Sequence, residues 1–254
     1  MNIIIVTPNE PFYLSENIDY LIRNLNAQDK LVGCVLLNPT PYGRRLNFFQ
    51  KAYRTFKIFG LRFFIYYTVK FIYVTLFSRN VEKVLRQHKI PIIRLSKNIN
   101  SKGSITILKQ FNPDLIISVL GNEIFKKSIL ELPKNGCINL HTSHLPKYRG
   151  MMPTFWAMLN DEKEIGVSVF VMDEGIDSGP IIDQELVPIS KSDSQKDIIT
   201  KTKSLGMRLL LNSIEKIKTG KVEFINNDDG KSTYYTYPKK EDVMLFRKKG
   251  KKFF

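Results

Sequence analysis

Residues 138–150, with the sequence INLHTSHLPKYRG, concentrate side chains that can do chemistry. The chain has three histidines, and two of them, His141 and His144, lie here beside Asn139 at the exit of an apolar stretch. Residues two apart on a strand point to the same face of a sheet, so a strand here presents Asn139 and His141 together. In an open α/β sheet they would meet at the carboxyl end of the strands, where such sheets bind ligands.

Three interpretations of these side chains stay open on the residues alone. In the first, His141 and His144 are metal ligands. The carboxylate completing that site would come from the segment VMDEGIDSGP, which offers Asp173, Glu174 and Asp177. In the second, both histidines are ordinary hydrogen-bonded residues at a strand end. In the third, the Asn139 amide and the His141 imidazole stabilise an oxyanion, as formyl or acyl transfer to an amine requires.

The composition is that of a globular protein with a charge that favours anionic partners. The 254 residues are 43% hydrophobic and 25% charged, which suits one large α/β domain or a domain with a small appendage. The formal net charge of +15 indicates a nucleotide, a nucleic acid or an acidic lipid as partner. A lysine-rich surface without any such partner explains the charge equally well.

Several common sites are missing from the sequence. The first predicted strand runs into VTPNEPF, which is neither a G-x-G-x-x-G segment nor a Walker loop, so a dinucleotide or ATP bound in the usual way is disfavoured. The chain has two cysteines, Cys34 and Cys137, each within an apolar run, which indicates small core residues of a reduced protein. No signal peptide is recognisable, and we therefore expect a cytoplasmic location.

The apolar runs predict the elements that position these side chains. NIIIVT and LVGCVLL read as two buried strands separated by a helix over 15–26. Further strands are predicted at IPIIRL, PDLIISVL, CINL, GVSVFVM and PIIDQELVPI, with helices at 80–88 and 104–111. Short apolar strands alternating with helices predict an α/β fold with a mostly parallel sheet and helices on both faces.

Residues 44–80 are rich in Phe and Tyr but carry regularly spaced Lys and Arg. Their uncharged stretches are shorter than the ~20 residues that a membrane-spanning helix needs, so we expect no transmembrane helix. The pattern favours a pair of amphipathic helices packed on the sheet, with the cationic side chains directed outward. A dimer face or a loose peripheral membrane contact are the alternatives.

A longer pattern discriminates between the three interpretations. Residues 139–182, NLHTSHLPKYRGMMPTFWAMLNDEKEIGVSVFVMDEGIDSGPII, closely resemble the core of the folate-dependent formyltransferases. The resemblance consists of Asn-x-His, Ser-x-Leu-Pro, Arg-Gly, a Gly-Val strand and an Asp-Glu-x-x-Asp-x-Gly loop in that order. It implies a Rossmann-like fold and 10-formyltetrahydrofolate as formyl donor, with no metal.

The resemblance also implies roles for individual residues. Asn139, His141 and Asp177 correspond to the family's catalytic set. The folate pterin is expected against two loops, formed by Gly121, Asn122, Glu123, Ile124 and Phe125 and by Asp173, Glu174, Gly175 and Ile176. His144 replaces an apolar residue that is commoner in the family, and we interpret it as a local variation.

The acceptor is expected to be a nucleotide-linked amino sugar, for surface (lipo)polysaccharide biosynthesis. The acceptor site is expected to include Lys147, Arg149, Met151, Met152, Pro153, Trp156, Tyr234 and Tyr235. We divide the chain into a catalytic domain, 1–190, and a C-terminal helix with a short aromatic and basic extension, 191–254. Its segment STYYTYPKKEDV resembles the stretch that follows the catalytic domain in several members of the family. The sugar-nucleotide N-formyltransferases carry a short C-terminal extension, whereas methionyl-tRNA formyltransferase carries a larger C-terminal barrel.

Two alternatives are kept beside this expectation. The first is an enzyme like methionyl-tRNA formyltransferase without that barrel, although we otherwise consider nucleic acid an unlikely partner. The second is a catalytically inactive basic module that binds a membrane or RNA. We also expect a homodimer.

Overall fold

The computed structural model describes residues 1–37, 46–77, 80–95, 97–121 and 123–254. Nine strands are present in these ranges: β1 Asn2–Pro8, β2 Lys30–Leu37, β3 Ile92–Ile93, β4 Leu115–Val119, β5 Cys137–His141, β6 Arg149–Gly150, β7 Glu164–Val171, β8 Ile181–Pro188 and β9 Tyr234–Tyr235. Seven of them form one sheet in the order β3-β2-β1-β4-β5-β7-β8, and β6 pairs with β9 separately. Of the seven, β7 alone runs antiparallel to the direction that the other six share.

Eight α-helices connect and cover the strands in the same ranges: α1 Leu14–Asn24, α2 Phe48–Phe77, α3 Val81–Gln87, α4 Lys102–Lys109, α5 Lys127–Leu130, α6 Pro153–Leu159, α7 Gln195–Lys218 and α8 Lys240–Lys248. A short 3₁₀ turn spans Asp229–Lys231. The predicted α/β fold with a mostly parallel sheet is confirmed, and the helices predicted over 15–26, 80–88 and 104–111 correspond to α1, α3 and α4.

The sheet is buried on both faces. Along β1, Ile3 and Ile5 enter one apolar cluster with α1, α3 and α7, whereas Ile4 and Val6 enter a second cluster on the α4 and α5 side. This alternation follows from the two-residue period of a strand. Because both faces are covered at the centre of the sheet, β1, β2 and β4 are nearly continuous apolar runs.

The C-terminal part of the chain is built onto the sheet. A capping box between Ser194 and Asp197 starts α7, which packs on β7, β8 and α1. After α7 the chain returns to the sheet edge, where Ile225 exchanges two backbone hydrogen bonds with Ile181. The division at residue 190 stays a prediction.

The expectation for residues 44–80 is partly wrong. Residues 44–45 and 78–79 lie outside the described ranges, and α2 occupies most of the remainder, with non-helical dihedral angles at Gly60 (φ 75°, ψ 177°) dividing it into two halves. It does not pack on the sheet as we expected. The face of the sheet on which it would pack is already covered by α1, α3 and α7. Helix α2 instead contacts α8, and Phe59 is its single fully buried side chain.

Much of α2 is apolar and exposed. Judged by length and composition alone, one helix among the described residues, located within 48–87, is long and apolar enough to cross a membrane. The expectation that charge spacing excludes a spanning helix therefore lacks support from this criterion.

Candidate active site

Strand β5 positions the two side chains that the sequence pairs. It lies between β4 and β7, with Asn139 opposite Ser118 and Phe170, and His141 opposite Ser168. Ile138 and Leu140, which point to the other face, are fully buried in the core and fix the strand. Asn139 and His141 therefore share one face at the carboxyl end of the sheet.

His141 is held in one orientation. The side chain is nearly buried, and its Nε2 lies 2.9 Å from the Tyr148 carbonyl oxygen. Because a carbonyl only accepts, Nε2 carries the proton and donates it, which leaves Nδ1 as the second functional nitrogen of the neutral ring. The Asp177 Oδ2 atom lies 3.7 Å from the same Nε2. That distance allows an ion pair with a protonated ring and is too long for a hydrogen bond.

Asp177 belongs to a tight loop between β7 and β8. Its backbone is left-handed (φ 50°), which is uncommon for a residue other than glycine and typical of functional sites. Its Oδ2 accepts a hydrogen bond of 2.8 Å from the Gly150 amide. At Gly179 any Cβ would lie 1.8 Å from the Val171 carbonyl oxygen, so the loop tolerates only glycine there. Asp173 tightens the loop by accepting from Ser178 Oγ at 2.7 Å.

A side chain from the C-terminal region braces this loop. The Asn227 amide Nδ2 donates to the backbone carbonyls of Asp177 and Gly179, each at 2.9 Å. Its Oδ1 accepts from the Arg149 guanidinium at 2.9 Å, and the same guanidinium donates to Asp229 at 2.6 Å. Through these hydrogen bonds Arg149 and Asn227 hold the backbone of Asp177 in place.

The three expected catalytic side chains border one cavity of about 640 Å³. Ligand-binding cavities typically measure ~300–1,000 Å³, so this one can hold a small molecule. Among the described residues its lining includes four carboxylates and neither Lys nor Arg. Among the described residues, the side-chain amide of Asn139 has no hydrogen-bond partner within the protein, so its donors are available to a ligand.

The loops expected to bind folate form one side of the cavity. The lining contains Gly121, Glu123, Ile124, Phe125, Asp173, Gly175 and Ile176. Asn122 lies outside the described residues. Glu174 is not in the lining and instead accepts a hydrogen bond from the Lys127 amide at 3.2 Å, which ties its loop to α5.

The residues expected at the acceptor site divide into two groups. Met151, Met152, Pro153 and Tyr234 line the cavity, whereas Lys147, Arg149, Trp156 and Tyr235 do not. Tyr235 lies between Trp156 and Tyr148 in a stack with centroid distances of 4.8 and 5.3 Å. Burial raises the pKa of the Tyr148 phenol, which donates to Glu162 at 2.8 Å. These aromatic residues support the wall behind the cavity.

Sequence reasoning missed several lining residues. Phe12 and Glu10 come from the segment after β1, and Leu120 and Thr142 follow β4 and β5. The PNEPF segment matches no known ligand-binding loop motif. Its position after the first strand was the one sequence feature that placed it at the carboxyl edge of the sheet. Asn227 was also missed, because nothing in its local sequence distinguishes it from other loop residues.

The structure does not group His144 with the other site residues. It is exposed, and its backbone lies over Gly166, where a Cβ would meet the His144 Cα at 2.5 Å. In the ranges that the structure describes, no three His, Cys, Asp or Glu side chains are arranged to hold a metal ion. The metal interpretation of the two histidines therefore has no geometric support.

Comparison with known proteins identifies relatives of the segment that contains these residues. The "Formyl transferase" family model matches residues 79–214, more than half of the chain. A methionyl-tRNA formyltransferase from Kosmotoga olearia is 39% identical over 165 residues, which cover 65% of this chain and 53% of that protein. The chain thus spans about half the length of the curated relatives it matches.

Solved structures with the same fold include formyltransferases. An N-formyltransferase from Helicobacter canadensis has a TM-score of 0.59 at 21% identity, covering 92% of this chain and 71% of that one. A formyltransferase from Anoxybacillus kamchatkensis is 28% identical with a TM-score of 0.50, covering 59% of this chain and 77% of its own. The latter was solved with UDP-4,6-dideoxy-4-formamido-L-AltNAc and tetrahydrofolate.

Proposed function

Because this chain belongs to the formyl transferase family, we propose that it transfers a formyl group from 10-formyltetrahydrofolate to the amine of a nucleotide-linked amino sugar. The observation that carries the proposal is the convergence of Asn139, His141 and Asp177 on one cavity. The cytoplasmic location and the homodimer stay predictions.

The cavity has features that fit a reduced folate. Ile124, Phe125 and Ile176 give its wall an apolar surface, and glycines at 121 and 175 bring backbone groups close to a ligand. The pterin ring of a folate is a flat heterocycle with a polar edge, so it needs both the apolar surface and the nearby backbone groups. When bound, the folate supplies the formyl group at its N10 nitrogen.

The site residues have complementary tasks in this chemistry. The Asn139 amide can donate to the formyl oxygen while negative charge develops there. The Tyr148 carbonyl orients the His141 ring by accepting a hydrogen bond from Nε2–H, which leaves Nδ1 for the substrate. When the ring is protonated, Nδ1–H is a second donor beside the Asn139 amide. The Asp177 carboxylate can accept the proton that the attacking amine must lose, directly or through water. Its backbone is fixed by Asn227, so the carboxylate needs little reorganisation.

Two observations support an amino sugar as acceptor. The carboxylate-lined cavity favours the entry of an ammonium group. Tyr234 and Tyr237 of the C-terminal region line the same cavity and offer aromatic faces to a sugar or a base. Since the cavity lining described here has no Lys or Arg, the diphosphate must lie outside it. The Anoxybacillus relative, solved with a formylated nucleotide sugar, supports the same acceptor class.

A second candidate acceptor is charged initiator tRNA. The curated relatives at 38–39% identity are methionyl-tRNA formyltransferases, and the net charge of +15 suits a nucleic acid. A catalytically inactive binding module is a weaker candidate, because the three catalytic side chains are all present and placed around the cavity.

Mass spectrometry of an acceptor panel tests the proposal. The protein and 10-formyltetrahydrofolate are incubated with UDP- and dTDP-linked 3-amino and 4-amino sugars, charged initiator tRNA and glycinamide ribonucleotide. We expect a formyl mass gain on a nucleotide sugar, absent with Asn139→Ala and retained with Met244→Ala, a surface substitution on α8. A formyl mass gain on the tRNA alone would mean that charged initiator tRNA, the second candidate, is the acceptor. No gain on any acceptor would contradict formyl transfer to these amines.

A further inference from the structure

The second half of α2 exposes a continuous aliphatic stripe. Leu61, Ile65, Val69, Ile72 and Leu76 are each between 52% and 65% exposed. Their spacing of four, four, three and four residues places them on one face of the helix. The first half adds Phe49, Tyr53 and Phe56, which are also exposed and spaced four and three apart. An apolar surface of this extent on a folded protein marks an interaction site.

The opposite face of α2 is firmly attached to the protein. Phe63 stacks on Phe59 at 4.3 Å and packs edge-on against Phe253 at 5.1 Å. Tyr66 stacks on Phe254 at 3.8 Å, and the Arg247 guanidinium donates to the Phe59 carbonyl. The inner face of the helix is therefore occupied, and the aliphatic stripe faces away from the protein.

The charged residues of α2 all have the same sign. Between Asp29 and Glu82 the sequence contains nine Lys and Arg and no acidic residue. Five of the nine lie in α2, among them the exposed Lys57 and Arg62. A second copy docked through α2 would bring like charges together, in a chain whose net charge is already +15. An anionic surface is complementary to both features of the helix.

We propose that α2 docks this protein onto a bilayer that contains anionic lipids. The aliphatic stripe enters the boundary between headgroups and acyl chains, and the neighbouring Lys and Arg contact the anionic headgroups. The helix lies in the plane of the membrane, since its inner face stays packed on the C-terminal residues. Phe12 connects this surface to the candidate active site, because it lines the cavity and packs against Tyr67 and Phe71 of α2 at 5.4 and 6.5 Å. The inference does not depend on the acceptor.

Vesicle flotation of the purified full chain tests the inference. We expect the protein to float with vesicles of phosphatidylglycerol and phosphatidylcholine, and much less with pure phosphatidylcholine. The double variant Ile65→Glu/Ile72→Glu should lower the partition coefficient at least about a hundredfold, since burying each isoleucine is worth ~tenfold or more. Both positions are exposed, so the variant should fold. Met244→Glu on α8, itself 59% exposed, is the matched control and should leave binding unchanged.

A second variant separates charge from apolar contact. Lys57→Gln/Arg62→Gln should weaken binding to the anionic vesicles by ~25-fold, because each cation near such a surface contributes about fivefold. It should not alter the low binding to pure phosphatidylcholine.

Several results would overturn membrane docking. One is the absence of flotation with anionic vesicles; another is binding that survives Ile65→Glu/Ile72→Glu. Resistance to extraction with alkaline carbonate would indicate a spanning helix instead. A dimer in light scattering that the same double variant dissociates, without any vesicle binding, would assign the stripe to a second copy.

Discussion

The segment from β5 to β8 buries polar side chains, whereas helix α2 exposes apolar side chains. In the first, polar side chains such as His141 and Arg149 are buried and hydrogen-bonded to backbone carbonyls or other side chains. In the second, aliphatic side chains are exposed, and the aromatic ring of Phe59 is the only fully buried side chain of the helix. Each arrangement is costly for an isolated protein, because buried polar groups need partners and exposed apolar surface attracts other molecules.

The difference shows how two kinds of binding are built into one chain. In the candidate active site, His141 and Asp177 are held before a ligand arrives, by the Tyr148 carbonyl, the Gly150 amide and Asn227. The α2 surface instead combines an exposed aliphatic stripe with cations, which suits a fluid partner such as a lipid bilayer. Substitutions should therefore affect chemistry and folding in the first region, and association in the second.

The largest expected effect is on the chemical step. His141→Ala should lower the single-turnover rate of formyl transfer about 10²–10⁴-fold, because it removes a group that handles a proton or donates to the oxyanion. Asn139→Ala should cost ~10²–10³-fold for the loss of one oxyanion donor. Both variants should keep the wild-type affinity for a folate. Rates close to wild type in both would contradict the assigned roles.

The next largest effect is on the free energy of unfolding, and it should differ between the two faces of α2. Phe59→Ala removes a fully buried ring and should lower the free energy of unfolding by ~3–5 kcal/mol. Ile65→Ala, on the exposed face, should change it by less than ~0.5 kcal/mol. Urea denaturation in the absence of lipid measures both. Equal losses would mean that the stripe is packed within the protein, and the comparison of the two regions would fail.

A smaller effect is expected where the C-terminal region supports the site. Asn227→Asp keeps an acceptor for Arg149 but loses the amide hydrogens that bond Asp177 and Gly179. Leaving those carbonyls unpaired should destabilise the protein by ~1–3 kcal/mol. Because the substitution displaces Asp177, kcat should fall while KM for the folate stays near the wild-type value. An unchanged kcat with lowered stability would assign Asn227 a structural role alone.

The smallest effect concerns the cysteines. Burial raises the pKa of the Cys137 thiol to about 12, so at pH 8 only ~1 molecule in 10⁴ carries the reactive thiolate. Burial raises the pKa of Cys34 as well. Neither should react with iodoacetamide in the native protein within an hour, and both should react in urea. Rapid native labelling of Cys137 would show that β5 opens, against the rigidity inferred for this region.

The sequence predicted the strands and the pairing of Asn139 with His141 because both depend on local patterns. A two-residue period places Asn139 and His141 on one face, and the apolar residues Cys137, Ile138 and Leu140 beside them predict a buried strand. The resemblance to a family added Asp177, whose nearness to His141 depends on a loop that brings separate segments together. The catalytic roles of the three stay predictions.

Other features could not be predicted because they depend on distant contacts. The Asn227 brace joins residues 48 and 50 positions apart in the chain. Arg149, expected to contact the acceptor, is instead engaged by Asn227 and Asp229. The amphipathic pattern of α2 indicated a helix but not which of its faces packs, because that choice depends on α1, α3 and α7 already covering the sheet.

Calorimetric titration with 5-formyltetrahydrofolate, a stable relative of the proposed donor, tests the central claim most directly. The account predicts binding to one site per chain, retained in His141→Ala and Asp177→Asn and accompanied by a higher melting temperature. At a hundredfold excess over Kd the added stability should be ~2.7 kcal/mol. The absence of both heat and stabilisation in the wild-type protein would contradict a folate site in this cavity.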